Sequence, residues 1–571
     1  MQNCIAAPAA PGLGLSLREV RASVKKLLKN RLYITFLILL GIASFGFTIT
    51  HFAMGIDDFG LGHYMDLSPE SSNNMLQQGR LLHIVLYYLT GLMDVIPFLN
   101  NFISAALIVF SALLLCGLAD AASNGRFNTF QQIIFAGLYI SSPVSAFKFI
   151  YDLDVVAVSI SGVCCVLAVI MGFEFLESRK KAGLFKTLGL FFLAVSSYES
   201  FNAVIICLVL FVLLLLCLYR DKKPRELCLA GLKLAGMLAC ALAAYYILVF
   251  LLQLLTGNNG HERLNLFNRG RPVIELLKEI ARRLINFKLF FIAEFAAAAL
   301  LSVPLAVYFS VKKKSFFVFL LFAAMGAFTL AIPVVQGALY YRTCQPFGLF
   351  IAAVALFITE IFRNRRALRV IAACMAALAL IWQLKDINLW FYKDWANYQK
   401  NVYAIHNIAT ELNSGYSIEE KPVCFVNRDY DSFLMSWEAD KMQYEIGESP
   451  IVAAVAFCGD ITCPELIELF EKQEYTFLIQ PTLEQAQKAV QYSSGMPGYP
   501  KEGYIAEYED IIIISREYTL SGKSIIKVNG RSLIIAQLKK IREKILDIHG
   551  QHQNQTLLDR GSHIIYLDNF I

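Results

Sequence analysis

The sequence predicts a polytopic α-helical membrane protein that carries a small α/β domain outside the membrane. Of its 571 residues, 57% are hydrophobic and only 17% are charged, whereas soluble proteins carry roughly 25% charged residues. Apolar runs long enough to cross a bilayer recur through most of the chain. The net charge of +6 does not indicate a nucleic-acid partner, because the positive residues cluster in short loops between apolar runs.

About eleven apolar runs are the expected membrane spans. We expect the first to be a permanent signal anchor, because it is too long for a cleavable signal peptide and lacks a small-residue cleavage site. The runs cover residues 32–53, 101–122, 130–150, 153–176, 185–198, 201–219, 227–255, 289–311, 315–334, 343–362 and 367–384.

The basic loops predict the orientation of these spans. Lys and Arg collect on the cytoplasmic side of a membrane, and all the basic loops fall on one side if successive turns alternate. The N-terminus is then cytoplasmic, and everything after residue 384 lies outside. The basic stretches cover residues 21–31, 178–181, 220–225, 312–314 and 363–366, and the remaining inner turn contains Arg126.

The first outer turn, residues 54–100, is unusually long. Its second half is apolar but contains Arg80, His83 and Asp94. A twelfth span here would invert every later basic loop. We therefore expect a helix that lies along the outer membrane interface, with His83 as an interface residue rather than a catalyst.

From about residue 386 to residue 510 the composition indicates a small α/β domain. It begins with Trp390, Trp395 and Tyr398, aromatic residues suited to a membrane interface. Short strand patterns then alternate with helical patterns. The predicted strands cover residues 423–426 and 476–479, and the predicted helices cover residues 394–412, 464–473 and 482–492.

The 13 cysteines do not form a disulfide framework, because most lie within apolar runs, where Cys behaves as a small hydrophobic residue. In the outer domain, a Cys458–Cys463 disulfide and a pair of buried free thiols both stay open. No group of Cys and His has the spacing of metal ligands.

Polar residues at the outer ends of the spans form the candidate site. Two adjacent carboxylates, Asp57 and Asp58, follow the first span, where they indicate either a functional site or a solvated loop. Aspartate can accept the proton of an attacking hydroxyl group, and arginine binds phosphate oxygens with a two-pronged fork. The further candidates for substrate and phosphate binding are Arg80, Tyr198, Glu199, Arg263, Arg269, Arg271 and Arg342.

Two other groups of polar residues have competing explanations. The cations of the outer loop 256–288 suit either an anionic substrate or anionic lipid headgroups. Lys148, Asp152 and Asp154 lie in a short outer turn, where we expect them mainly to solvate the loop and less often to serve a site.

Five features of the sequence resemble the type-II O-antigen glucosyltransferases, the Gtr family of membrane enzymes within the GT-C group. They are the basic N-terminal helix, Asp57-Asp58, Gln78-Gly79-Arg80, the Ser-Tyr-Glu-Ser run at 197–200, and Tyr341-Arg342. The resemblance covers residues 17–510. The family has Gln where this chain has Glu199, so the role of Glu199 stays open between orienting the sugar, binding a cation and capping a helix.

The resemblance implies transfer of a hexose, glucose above all, from a polyprenyl-phosphate donor to a surface polysaccharide or glycolipid. The reaction would take place at the outer face of a bacterial cytoplasmic membrane. Asp57 or Asp58 would be the general base, and the arginines would hold the donor phosphate. No cofactor is certain, but a divalent cation, Mg²⁺ or Mn²⁺, could replace part of this role with Asp57 and Asp58 as ligands.

Residues 511–571 resemble a different protein, the SMC-like DNA-repair ATPase RecN. The resemblance rests mainly on Val528-Asn529-Gly530-Arg531 and on the Asp-Ile-His-Gly-Gln-His run at 547–552. The segment lacks a Gly-rich phosphate-binding loop, because no glycine stands five residues before Gly522-Lys523. We expect it to be a fusion or an assembly artefact and not a functional domain, with a genuine extension as the alternative.

Two other functions stay open. A lipid-linked sugar flippase or transporter would need charged residues within the spans, whereas here the charges gather at one face, and Glu294 is the main exception. An O-antigen polymerase or ligase would depend on arginines in outer loops, which the 256–288 loop offers.

Overall fold

The structure is a computed structural model. It describes residues 13–55, 58, 67, 75–91, 96–149, 151–257, 274–275, 278, 281–282, 290–336, 343–416, 418, 420–427, 461–497, 499–508, 511–516, 526–528 and 531–533. These residues are mostly helical. The helices are α1 (Leu17–Lys29), α2 (Arg31–Thr50), α3 (Leu81–Thr90), α4 (Leu99–Ala122), α5 (Thr129–Ile140), α6 (Asp152–Ser178), α7 (Lys181–Val195), α8 (Ser200–Tyr219), α9 (Pro224–Thr256), α10 (Phe290–Lys313), α11 (Phe316–Thr329), α12 (Ala331–Gln336), α13 (Pro346–Ile361), α14 (Arg366–Gly415), α15 (Pro464–Glu471) and α16 (Leu483–Tyr492).

Within the described residues, seven helices are long and apolar enough to cross a membrane: α2, α4, α6, α8, α9, α10 and α14. The chain is therefore a polytopic helical membrane protein, as the composition predicts. Each of the eleven predicted spans contains a helix, but four of these helices have only 12 to 16 residues. The exact count of eleven spans stays a prediction.

Prolines explain two of the short helices. The predicted span 130–150 is helical only to Ile140, because Pro143 opens a 3-10 turn over Pro143–Lys148. The predicted span 315–334 ends as a helix at Thr329, four residues before Pro333. A proline ring clashes with the carbonyl group four residues earlier, so the helix breaks there.

Helix α3 is too short to be a twelfth span. Its ten residues measure about 15 Å at 1.5 Å per residue, about half the thickness of the hydrocarbon core. It ends at Gly91, which has a φ of 66°. On one face Leu82 packs against Leu153 and Ala157 of α6. The position of α3 along the outer interface stays a prediction, but its polar residues Arg80 and His83 do not face water as expected, because both are buried.

The predicted inner loops meet at one end of the bundle. Arg220 binds Glu19 of α1 at 3.1 Å, and Lys313 binds Asp221 at 2.5 Å. At the same end Arg126 binds Glu360 at 2.6 Å. These contacts join loops that the charge pattern assigns to a single side of the membrane.

The domain at the end of α14, which we expect outside the membrane and call the outer domain, contains a three-stranded sheet of order β1-β3-β2. Its strands are β1 (Val423–Asn427), β2 (Ile505–Tyr508) and β3 (Ile511–Arg516). β3 is the central strand, parallel to β1 and antiparallel to β2, with Ile514 opposite both Phe425 and Ile505. A separate hairpin pairs β4 (Ile526–Val528) with β5 (Arg531–Leu533).

Alternate side chains of β1 enter two apolar layers, as expected for a strand buried on both faces. Val423 and Phe425 join a core formed by the end of α14 and by α15. Cys424 and Val426 pack against Ala489 of α16. The predicted strand at 423–426 and the predicted helices at 464–473 and 482–492 are therefore present.

Two other expectations for this region were wrong, whereas Cys463 agrees with one of the two alternatives left open for it. Residues 476–479 form no strand, although the Ile479 carbonyl accepts a hydrogen bond from Val423 N at 3.1 Å. The predicted helix at 394–412 is not separate from the last span, because α14 runs unbroken through both. Cys463 is a buried free thiol, and Cys458 lies outside the described residues.

Trp390, Trp395 and Tyr398 of α14 contact other protein side chains. Trp390 and Tyr398 are buried, and Trp390 packs on Phe147 with ring centroids 5.1 Å apart. Half-buried Trp395 lies edge-on to His51 at 5.3 Å. The expected interface position is thus wrong for Trp390 and Tyr398, because the continuous helix carries them against neighbouring elements.

The position of β3 bears on the domain boundary expected at residue 510. β3 lies directly after that boundary, yet it supplies the hydrogen bonds of both neighbouring strands. We therefore place the end of the outer domain no earlier than Arg516.

A chain ended after Arg516 should keep a folded outer domain, whereas a chain ended after Asp510 should not. Loss of the central strand leaves the backbone groups of β1 and β2 without partners. Limited proteolysis of both truncated proteins in membranes would check this. Equal resistance of the outer domain in the two proteins would refute the new boundary.

Candidate active site

Asp58 is held by backbone amides at the end of the bundle opposite the basic loops. Its side chain is fully buried. One carboxylate oxygen accepts a hydrogen bond from Gly55 N at 2.7 Å, and the other accepts one from Leu153 N at 2.9 Å. Leu153 lies in the first turn of α6, where the amide groups have no partner within the helix. Asp58 therefore caps α6 from another part of the chain.

Arg80 and Asp154 form a buried ion pair beside this cap. Arg80 Nη1 lies 2.8 Å from both carboxylate oxygens of Asp154, and both residues are less than a tenth exposed. His83 Nε2 lies 3.0 Å from the same carboxylate. Removing one partner of such a pair costs about 3–5 kcal/mol, because the other charge stays buried.

The segment before Arg80 is fixed by α9. The Tyr245 hydroxyl donates to the Gly79 carbonyl at 2.6 Å, and Gln253 donates to the Leu76 carbonyl at 3.1 Å. Gly79 has a φ of 73°, and a Cβ there would collide with the Tyr245 hydroxyl. The chain can turn into Arg80 in this way only with glycine at position 79.

The turn between α7 and α8 adds Tyr198. The guanidinium carbon of Arg80 lies 5.3 Å from the centre of the Tyr198 ring, a cation–π distance. The Ser196 carbonyl accepts a hydrogen bond from Leu82 N at 3.1 Å. Glu199 follows Tyr198 and is half-buried.

Of the predicted site residues, the structure brings Asp58, Arg80 and Tyr198 to one region, around the first turn of α6. Glu199 lies beside Tyr198 in the same turn. The remaining candidates lie outside the described residues: Asp57, Arg263, Arg269, Arg271 and Arg342.

Asp154 and His83 belong to this region, although the sequence predicts a solvated loop for one and an interface position for the other. Both expectations were wrong, since His83 is fully buried and Asp154 nearly so. The sequence feature that could have indicated a site here is the pair Asp152 and Asp154 at the start of a long apolar helix. Acidic residues at that position suit the positive end of the helix dipole.

Within the described residues, no group of three or more His, Cys, Asp or Glu side chains is arranged to hold a metal ion. Asp58 uses both carboxylate oxygens for backbone amides.

A known protein family matches this chain. The model of the glucosyl transferase GtrII family matches residues 46–359, more than half of the chain. The chain belongs to the GtrII glucosyltransferase family. This GtrII-family protein is therefore a glycosyltransferase. The match begins within α2 and ends within α13, so it includes Asp57, Asp58 and all the candidate arginines, but neither α14 nor the outer domain.

A short stretch of the chain is similar to a different protein. It is 41% identical over 78 residues to the DNA repair protein RecN of Bacillus subtilis, covering 13% of this chain and 14% of that protein. RecN of Halalkalibacterium halodurans is 40% identical over 62 residues, 11% of each chain. The chain thus spans only a small part of these relatives, which agrees with a RecN-like fragment in the C-terminal tail. No solved structure matches the chain.

The Gly79→Ala variant should be less stable than the wild-type enzyme by about 2 kcal/mol or more. A left-handed residue with a Cβ costs roughly 1–2 kcal/mol, and the clash with Tyr245 adds to this. Gly125→Ala is the matched control, because Gly125 has a φ of 70° but nothing within 4 Å of its Cβ position. Thermal unfolding in detergent measures the stability of both variants. Equal losses of stability would show that the clash with Tyr245 contributes nothing.

The contribution of His83 to the stability of the enzyme should fall as the pH drops below about 6.5. Burial lowers the pKa of His83 below its usual value; nearby Arg80 adds to this, and Asp154 opposes it. The unfolded chain then takes up the proton first as pH falls, so the folded state loses up to about 1.4 kcal/mol per pH unit.

Melting temperatures at pH 7.5 and 5.5 would test this contribution. The difference between the two pH values should be smaller for His83→Gln than for the wild type. An identical difference in both proteins would show that His83 is not the group that titrates.

Proposed function

We propose that this enzyme transfers a hexose, glucose above all, from a polyprenyl-phosphate donor to a polysaccharide or glycolipid acceptor. The reaction takes place at the outer face of the bacterial cytoplasmic membrane. Family membership supports the glycosyl transfer. The observation that carries the location is the gathering of Asp58, Arg80 and Tyr198 at the end of the bundle opposite the basic loops.

In the proposed reaction, an acceptor hydroxyl attacks the anomeric carbon of the donor sugar. The bond from this carbon to the phosphate oxygen breaks, and polyprenyl phosphate leaves with the electron pair. A carboxylate takes the proton of the attacking hydroxyl. Because phosphate is already a good leaving group, cationic groups that stabilise its negative charge are sufficient on the other side.

We assign the base to Asp57 rather than to its neighbour. Both carboxylate oxygens of Asp58 are occupied by backbone amides and shielded from solvent, as suits a residue that holds the loop. Arg80 is paired with Asp154, so its proposed contribution to phosphate binding is shared with Arg263, Arg269, Arg271 and Arg342. Tyr198 and Glu199 would contact the sugar.

The Asp57→Asn variant should lose sugar transfer by about 100-fold or more, the range of general-base catalysis, while its melting temperature stays at the wild-type value. Asp58→Asn should melt earlier, because an amide nitrogen cannot accept the hydrogen bond that one carboxylate oxygen accepts. Radiolabelled polyprenyl-phosphate glucose supplied to membranes measures the transfer. Loss of transfer in Asp58→Asn alone, with unchanged stability, would assign the base to Asp58.

The same assay separates the alternatives. Purified enzyme given polyprenyl-phosphate glucose and acceptor should form a single-sugar product. A product extended by whole oligosaccharide units from a diphosphate-linked donor would indicate a polymerase or ligase. Movement of the lipid-linked sugar across vesicle membranes without transfer would indicate a flippase.

A further inference from the structure

Helix α14 joins the membrane bundle to the outer domain without a break. Its 50 residues measure about 75 Å, more than twice the thickness of the hydrocarbon core. Its first half is apolar, and its last three turns lie in the core of the outer domain through Ile405, Ile408 and Leu412. The helix thus holds the outer domain close to the outer ends of the spans.

The loop after α2 packs against this helix. The Phe52 ring lies edge-on to Tyr398 with centroids 5.7 Å apart. Met54 is buried in the same apolar cluster as Ile405 and Leu466 of the outer domain. The first residues of the candidate catalytic loop therefore belong to the core of the outer domain.

Lys472, directly after α15, reaches the loop itself. Its ammonium group donates a hydrogen bond to the backbone carbonyl of Asp58 at 3.0 Å. The neighbouring Gln473 donates to the Tyr398 hydroxyl at 3.1 Å. Asp58 is thus held from two sides, through its carboxylate by the membrane bundle and through its carbonyl by the outer domain.

We propose that Lys472 is a positioning residue for glycosyl transfer, and that the outer domain sets the geometry of the Asp57-Asp58 loop. This proposal rests on the catalytic role proposed for that loop. Lys472 contacts a backbone carbonyl and not the carboxylate, so its effect reaches the neighbouring Asp57 through the backbone. A misplacement of about 1 Å at a reacting group costs up to roughly 100-fold in rate.

The chain offers a matched control for the charge of Lys472. Lys472 also pairs with Glu468 one turn earlier at 3.4 Å, and Lys488 of α16 pairs with Glu484 in the same way at 3.5 Å. Such exposed pairs contribute little to stability. The two lysines differ in that Lys472 also contacts the Asp58 carbonyl.

The experiment compares Lys472→Met, Lys472→Arg and Lys488→Met as full-length enzymes in membranes given polyprenyl-phosphate glucose. Lys472→Met should lower kcat about tenfold or more and leave the KM for the donor within about twofold, as expected for lost positioning. Lys472→Arg should recover most of kcat, since it keeps a donor of positive charge. Lys488→Met should equal the wild type. Equal kinetics for both methionine variants would overturn the proposal.

Hydrogen–deuterium exchange gives a measurement that does not depend on activity. In Lys472→Met, the amides of residues 51–58 should exchange at least several-fold faster than in Lys488→Met, and those of α16 should be unchanged. If the wild type transfers no sugar but this difference appears, the proposed reaction fails while the contact stands. No difference in exchange would overturn the positioning role itself.

Discussion

The outer end of this enzyme depends on one constraint: a buried carboxylate needs donors that replace the water it has lost. Asp154 meets this need with Arg80, and Asp58 meets it with the amides of Gly55 and Leu153. Both carboxylates are satisfied at the first turn of α6. That turn therefore joins the loop after α2 to the start of α3, two segments that lie apart within the long turn of residues 54–100.

We propose that the two adjacent aspartates have different roles. Asp58 is committed to holding the backbone, which leaves Asp57 as the residue we propose for the chemistry. Arg80 is paired with Asp154, so its positive charge is already neutralised when no substrate is bound. Burying these charged groups costs free energy. Their pairing makes the site rigid, because each group has lost the freedom to adopt other partners.

The outer domain also contacts the loop that contains Asp58. It follows the region that matches the GtrII family, yet Met54 of the first loop lies in its core and Lys472 binds the Asp58 carbonyl. The outer domain therefore packs directly against the loop of the candidate active site. Its sheet is completed by β3, which lies within the tail after residue 510. The C-terminal tail therefore begins as part of the folded enzyme, whatever the origin of the RecN-like residues that follow.

The sequence by itself determined the membrane class and the family, and it predicted the approximate span positions and the region of the candidate site. Those depend on local properties: the length of apolar runs, the position of basic loops, and short motifs such as Gln78-Gly79-Arg80. Only the tertiary structure decided which polar residues are buried and with whom. Asp154 and His83 look like loop and interface residues until α3 and α6 are packed together, because burial depends on neighbours distant in the chain. The continuity of α14 and the contact of Lys472 with Asp58 were hidden for the same reason.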